Sequence, residues 1–146
     1  MIVYLDSSVL ARAYLADEEG HDQALALLDD SEIAATTGTW TRIEVSGALI
    51  HAARSGRGDA AGLLALLDAD LATDGPVTVL SAPQERVEEM APSLVREHAL
   101  RAMDAWHLAV ASLTVPPLAE AGEEIAFASR DETQAAVAAM LGFTRI

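Results

Sequence analysis

Short apolar runs alternate with helix-patterned segments along this chain, and that alternation restricts the fold more than any other feature of the sequence. Ile2–Leu5, Glu32–Thr36, Val77–Leu80, Ile125–Ala128 and Phe143–Ile146 read as strands. Helical patterns fill the intervals: Ser7–Ala16, then His21–Leu28 after the break Glu18-Glu19-Gly20, then Trp40–Arg54, closed by Ser55-Gly56-Arg57-Gly58. Ala60–Leu71 follows, with Leu63, Leu64, Leu66, Leu67 and Leu71 as its apolar face. Pro83 opens a helix over Gln84–Met90, with Pro92 as a break or restart, and Ala99–Leu113 and Glu132–Leu141 complete the set. Strands separated by helices pair in parallel through helical crossovers. The expectation is an α/β fold, a three-layer α/β/α sandwich with a mostly parallel central sheet, formed as one domain over residues 1–146.

Composition sets limits on the chemistry. Half the chain is hydrophobic (51%) but only 4% is aromatic, so the core must be built from Ala, Leu, Val and Ile. With 0 cysteines there is no disulfide framework and no thiolate metal site, which fits a reducing cytoplasm. The N-terminus lacks a basic leader and no stretch approaches the roughly 20 apolar residues that span a bilayer, so a soluble, cytoplasmic protein without a membrane partner is expected. All 9 basic residues are arginine. The absence of lysine excludes a P-loop, a Schiff base and an Asp–Lys phosphoacceptor site. A formal net charge of −14 argues against a nucleic-acid partner. Bound cations would reverse that sign locally, however, and arginine forks suit phosphate. An Ala- and Arg-rich, Lys-free sequence is also what a GC-rich genome encodes.

Four acids stand out, each with a bland reading beside the chemical one. Asp6 ends the first strand, where open α/β sheets bind ligands, and could equally cap the next helix. Glu44 lies early in its helix, where Thr41-Arg42-Ile43-Glu44 matches a capping box. Asp104 sits in Ala102-Met103-Asp104-Ala105-Trp106-His107-Leu108-Ala109-Val110-Ala111, well inside an apolar helix where it cannot cap. A buried carboxylate costs several kcal/mol unless paired or bound to a cation. A salt bridge to Arg101 is the competing account. Asp131 follows the fourth strand, beside a further capping pattern, Ser129-x-x-Glu132. Four carboxylates gathered at one crevice cannot all ionise unless cations hold them. Oxygen-only ligands select Mg²⁺ or Mn²⁺, ions that activate water and stabilise an in-line phosphodiester displacement.

This ordered set resembles the PIN-domain nucleases, and within them the VapC-type toxins of bacterial toxin–antitoxin pairs. The stretches that carry the resemblance are Val3-Tyr4-Leu5-Asp6-Ser7-Ser8-Val9-Leu10, Glu44 in its helix, Leu100-Arg101-Ala102-Met103-Asp104-Ala105-Trp106-His107-Leu108-Ala109 and Phe127-Ala128-Ser129-Arg130-Asp131. The resemblance implies Mg²⁺- or Mn²⁺-dependent RNA hydrolysis, a cognate antitoxin and a homodimer. Asp6, Glu44 and Asp104 would hold metal, Asp131 would complete the site, and Ser7 would hydrogen-bond the first acid or a bound water. Ser129 stands where the family commonly has threonine and keeps the hydroxyl. Arg12, Arg42, Arg101 and Arg130 lie near these motifs and are candidates for phosphate contacts. His107 reads as a buried histidine with a hydrogen-bond partner, and Trp40 and Trp106 as core or interface residues. The Leu-rich Ala60–Leu71 helix and the first two helices offer a surface for the antitoxin, or serve simple core packing.

Three rival readings remain open at this level. A PIN-like scaffold without activity should lack one of the acids, and none is missing. A PIN nuclease of RNA processing differs from a toxin only in its genetic partner. A haloacid-dehalogenase-like phosphatase wants a second Asp two positions after the first, where Ser8 stands, and commonly a lysine.

Overall fold

A computed structural model describes all 146 residues. In chain order the elements are β1 (Ile2–Leu5), α1 (Ser7–Tyr14), α2 (His21–Asp29), β2 (Ala34–Gly38), α3 (Thr41–Arg54), α4 (Ala60–Asp70), β3 (Val77–Leu80), α5 (Gln84–His98), α6 (Ala102–Thr114), β4 (Ile125–Ala128), α7 (Glu132–Met140) and β5 (Thr144–Arg145). All five strands are parallel, in the order β3-β2-β1-β4-β5. This is the α/β sandwich that the alternation of elements predicts.

β1 lies at the centre of the sheet and shows how the layers form. Successive side chains of a strand point to opposite faces. Val3 and Leu5 join a core with residues of α1, α2, α3 and α4, while Ile2 and Tyr4 join a second core with residues of α5, α6 and α7. Both faces of β1 are covered, which is why its sequence is apolar without interruption. No helix is long and apolar enough to cross a membrane.

Several boundaries differ from those expected. β2 starts at Ala34 and extends to Gly38, because Glu32 and Ile33 are spent in the turn that carries the chain under Met1. α5 runs through Pro92 to His98 instead of stopping at Met90. The proline forfeits one hydrogen bond to the Glu88 carbonyl, yet Val87 and Leu94 on either side of it are both buried, so the helix's packing face continues across the gap. Ala99 then adopts a left-handed conformation (φ 54°) and Arg101 an extended one, so α6 begins at Ala102. Asp104 therefore lies in the first turn of its helix and not well inside it.

Candidate active site

The strand order turns at β1. The chain builds outward from β1 through β2 to β3, then returns to place β4 on β1's other side. The carboxyl ends of β1 and β4 flank the resulting crevice, the usual ligand position in open α/β sheets. Asp6 follows β1 directly, Asp131 follows β4 through Ser129 and Arg130, and the first turns of α3 and α6 bring Glu44 and Asp104.

Asp6 and Asp131 each divide their two oxygens between two tasks. Asp6 caps α1, its Oδ2 accepting the amide of Ser8 at 3.2 Å and the hydroxyl of Ser8 at 2.6 Å. Its Oδ1 faces the Gln134 side-chain amide at 3.5 Å and His107 Nε2 at 3.7 Å. Asp131 caps α7 through Oδ1, which accepts the Gln134 amide at 2.9 Å, while Oδ2 lies 3.3 Å from Arg101 Nη2. Asp104 makes no cap. Arg101 Nε donates to its Oδ2 at 2.7 Å, so the ion pair weighed from the sequence does form. That guanidinium is three-quarters exposed and bridges Asp104 and Asp131.

Glu44 forms no capping box. Trp40 is the N-cap of α3, and Thr41 turns its hydroxyl to Thr37 at 2.6 Å. Glu44 Oε2 instead receives Ser7 Oγ and His107 Nε2, each at 2.7 Å. Burial pushes this carboxyl up, but the hydrogen bonds from His107 and Ser7 outweigh it and hold it below its ordinary value. Ser7 thus serves Glu44, and Ser8 is the hydroxyl that binds the first acid. The reason is geometric: Ser7 is buried against α3, whereas Ser8 sits where an Asp cap's oxygen finds the hydroxyl two residues on. Ser129 Oγ donates to Gln134 Oε1 and accepts the Asp131 amide at 2.9 Å, in place of the box with Glu132.

The donor chemistry of this crevice suits a hard divalent cation. Its anionic groups are all carboxylates, with no thiolate among them, and an exposed guanidinium bridges Asp104 and Asp131. As the side chains stand, no three acidic or histidine groups converge on a single ion position. Arg101 occupies the space between Asp104 and Asp131.

The sequence matches the PIN domain over residues 3–140. The chain belongs to the PIN-domain family. Members of that family are typically nucleases and generally bind divalent metals. No curated protein matches the chain.

Two residues central to the PIN-domain crevice carried little signal in the sequence. Gln134 is fully buried and ties three of the acids together, donating to Asp6, to the Asp104 carbonyl at 3.1 Å and, through its backbone, to Asp131. Its place three residues after Asp131 was the one available sign. Tyr4 reads as an ordinary strand aromatic, yet its hydroxyl reaches His107 Nδ1 at 3.0 Å. The histidine itself is buried with partners on both nitrogens, as expected of it.

The four arginines separate. Arg101 lies on the acids. Arg130 approaches through its backbone amide to Ser8 Oγ, while its guanidinium pairs with Glu18 at 3.2 Å. Arg12 packs under Gly20 with its Nε buried and unpaired, and its pKa is lowered, by burial and then by Arg130. Arg42 turns to α4, donating to Asp68 and to the Leu71 carbonyl, and is committed away from the acids.

Proposed function

We propose that this PIN domain is a Mg²⁺- or Mn²⁺-dependent endoribonuclease and that Asp6, Glu44, Asp104 and Asp131 form its active site. The observation that carries the reading is the junction of Asp6 and Asp131 at the carboxyl ends of adjacent strands, each keeping one oxygen free of its cap. Asp6, Glu44 and Asp104 would hold the ion, with Asp131 completing the site. A divalent ion bound there would supply charge neutralisation for the phosphodiester and a more acidic water. The protein's own groups do the rest. Ser8 and Gln134 fix the Asp6 carboxylate, Ser7 and His107 fix Glu44, and Arg130 and a displaced Arg101 supply forks for the RNA phosphates. The test is RNA cleavage with Mg²⁺, Mn²⁺ or EDTA, beside Asp104→Asn. Metal-dependent cutting that vanishes in the variant supports the reading; cutting that persists in it overturns the assignment of Asp104.

The further reading is that of a toxin held by an antitoxin. What supports it is α4, which is apolar around most of its circumference but buries only Leu67. Leu66 is 55% exposed beside the half-buried Leu63 and Leu64. A partner's apolar helix would cover such a face. A homodimer fits the groove of about 930 Å³ between the β2–α3 turn, α5 and α6, walled by Trp40, Val87, Ala91, Val95 and Trp106. Sedimentation of the purified chain tests the dimer, and co-purification with the product of an adjacent gene tests the antitoxin.

A further inference from the structure

Behind the acids runs a hydrogen-bonded chain that metal binding alone would not require. His107 is 1% exposed, fixed edge-on between Tyr4 and Trp106, with ring centroids 5.9 and 5.1 Å away. The Tyr4 hydroxyl lies 3.0 Å from Nδ1. Nε2 faces the Glu44 carboxylate, which can only accept, so that nitrogen carries the ring's proton. Nδ1 is then the acceptor. From Nε2, Glu44 Oε2 is 2.7 Å away, Ser7 Oγ 3.1 Å and Asp6 Oδ1 3.7 Å.

We propose that His107, held at Nδ1 by Tyr4, is a positioning residue that holds the Glu44 carboxylate at a fixed distance from Asp6 for ion binding. The inference rests on the carboxylate site proposed above. Glu44 is a long side chain on the open first turn of α3, with exposed Ile43 beside it. Left free, it would surrender rotamer entropy on binding an ion. A buried ring that cannot turn removes that cost beforehand, and donors to ligating carboxylates typically tune metal affinity 10- to 100-fold. His107 touches no substrate in this account and acts only through Glu44 and Asp6.

The experiment measures Mn²⁺ affinity by the electron paramagnetic resonance of the free ion, with unfolding in EDTA as the check on folding. Its subjects are wild type, His107→Leu, His107→Gln and Tyr4→Phe. His107→Leu should bind Mn²⁺ about 10- to 100-fold more weakly. His107→Gln, whose amide can donate from near the Nε2 position, should recover most of that loss even where the two variants are equally destabilised. Tyr4→Phe keeps the ring and should lose part of the affinity. A folded His107→Leu that binds as wild type does overturns the proposal, as does glutamine performing no better than leucine. If His107→Leu does not fold, Tyr4→Phe decides, and wild-type affinity in it is the refuting result. Wild-type protein that binds no Mn²⁺ overturns the carboxylate site itself, and this inference with it.

Discussion

Gly38 and Gly47 should respond to the same substitution with opposite signs. Gly38 ends β2 directly beneath the candidate site. A Cβ built there would stand 2.5 Å from the Tyr4 hydroxyl and 2.7 Å from the Trp106 ring. Neither side chain can yield cheaply. Tyr4 is fully buried and stacked on Phe127 at 5.3 Å, and Trp106 is wedged against His107 and Trp40. Overpacking of this kind costs about 1–3 kcal/mol. Displacing the Tyr4 hydroxyl from His107 would add about 1–3 kcal/mol for a buried polar group left without its partner. Lower chain entropy in the unfolded state returns about 0.4–1 kcal/mol, so the net loss for Gly38→Ala should be roughly 1–5 kcal/mol. At about 3 °C per kcal/mol for a chain of this size, Tm should fall by roughly 3–15 °C. Gly47 lies exposed in the interior of α3, and a Cβ there meets nothing within 4 Å. Gly47→Ala should gain about 0.5–1 kcal/mol from helix propensity alone, or roughly +2–3 °C. Paired thermal melts in EDTA measure both. Gly38→Ala melting at or above wild type would refute the packing of Tyr4 and Trp106 described here, and with it the buried route from β2 to Glu44.

Arg101→Ala should tighten Mn²⁺ binding by up to about fivefold, because an exposed ion pair is worth about 0.2–1 kcal/mol and the ion no longer competes with it. The same variant should weaken RNA binding and reduce its salt slope by about 1, as filter binding at several salt concentrations would register. Since Glu44's carboxyl is held below its ordinary value of 4.5, its contribution to stability is complete above that pH and is lost as pH falls through the lower folded value. The acid limb of Tm against pH in EDTA should therefore be shallower in Glu44→Gln than in wild type. Leu66→Asp should leave the domain folded and abolish capture by an antitoxin, whereas Leu67→Asp should unfold it, because Leu67 is completely buried; circular dichroism beside a pull-down separates the two.

The layers of the fold were legible because β1 and the helices carry simple periodicities, and periodicity survives in any context. Boundaries were less so, and α6 shows why it matters. Residues Ala99–Leu113 are uniformly apolar or small apart from Arg101, Asp104 and His107, and nothing in them marks the left-handed turn at Ala99. That turn is imposed by α5, which continues through Pro92 to His98 because its apolar face remains packed. Helix propensity at Pro92 was overridden by burial of Val87 and Leu94 on either side. The consequence reaches the site. Starting α6 at Ala102 puts Asp104 in the first turn, at the crevice, where the positive end of the helix dipole favours a carboxylate.

For two of the acids, capping and catalysis look like rival accounts at the level of sequence, and sequence alone cannot decide because a residue letter stands for two oxygens. Asp6 and Asp131 each place one oxygen in a cap and the other toward the crevice, so the cap leaves room for the role proposed for them. The cap fixes χ1, so the second oxygen's direction is determined by the fold and not by any ion. Glu44 has no cap to orient it, and its fixed direction comes from Ser7 on neighbouring α1 and His107 on α6, contacts that span 37 and 63 residues of sequence. Asp104 has neither, and relies on Arg101, the most exposed and most easily displaced of these partners. The candidate site is thus graded, from two acids oriented by their own helices, through one oriented at long range, to one held only by a side chain that an arriving cation would displace. On that ordering, affinity for the ion should be least sensitive to loss of Arg101 and most sensitive to loss of the long-range donors, a ranking that Arg101→Ala and His107→Leu test directly against each other.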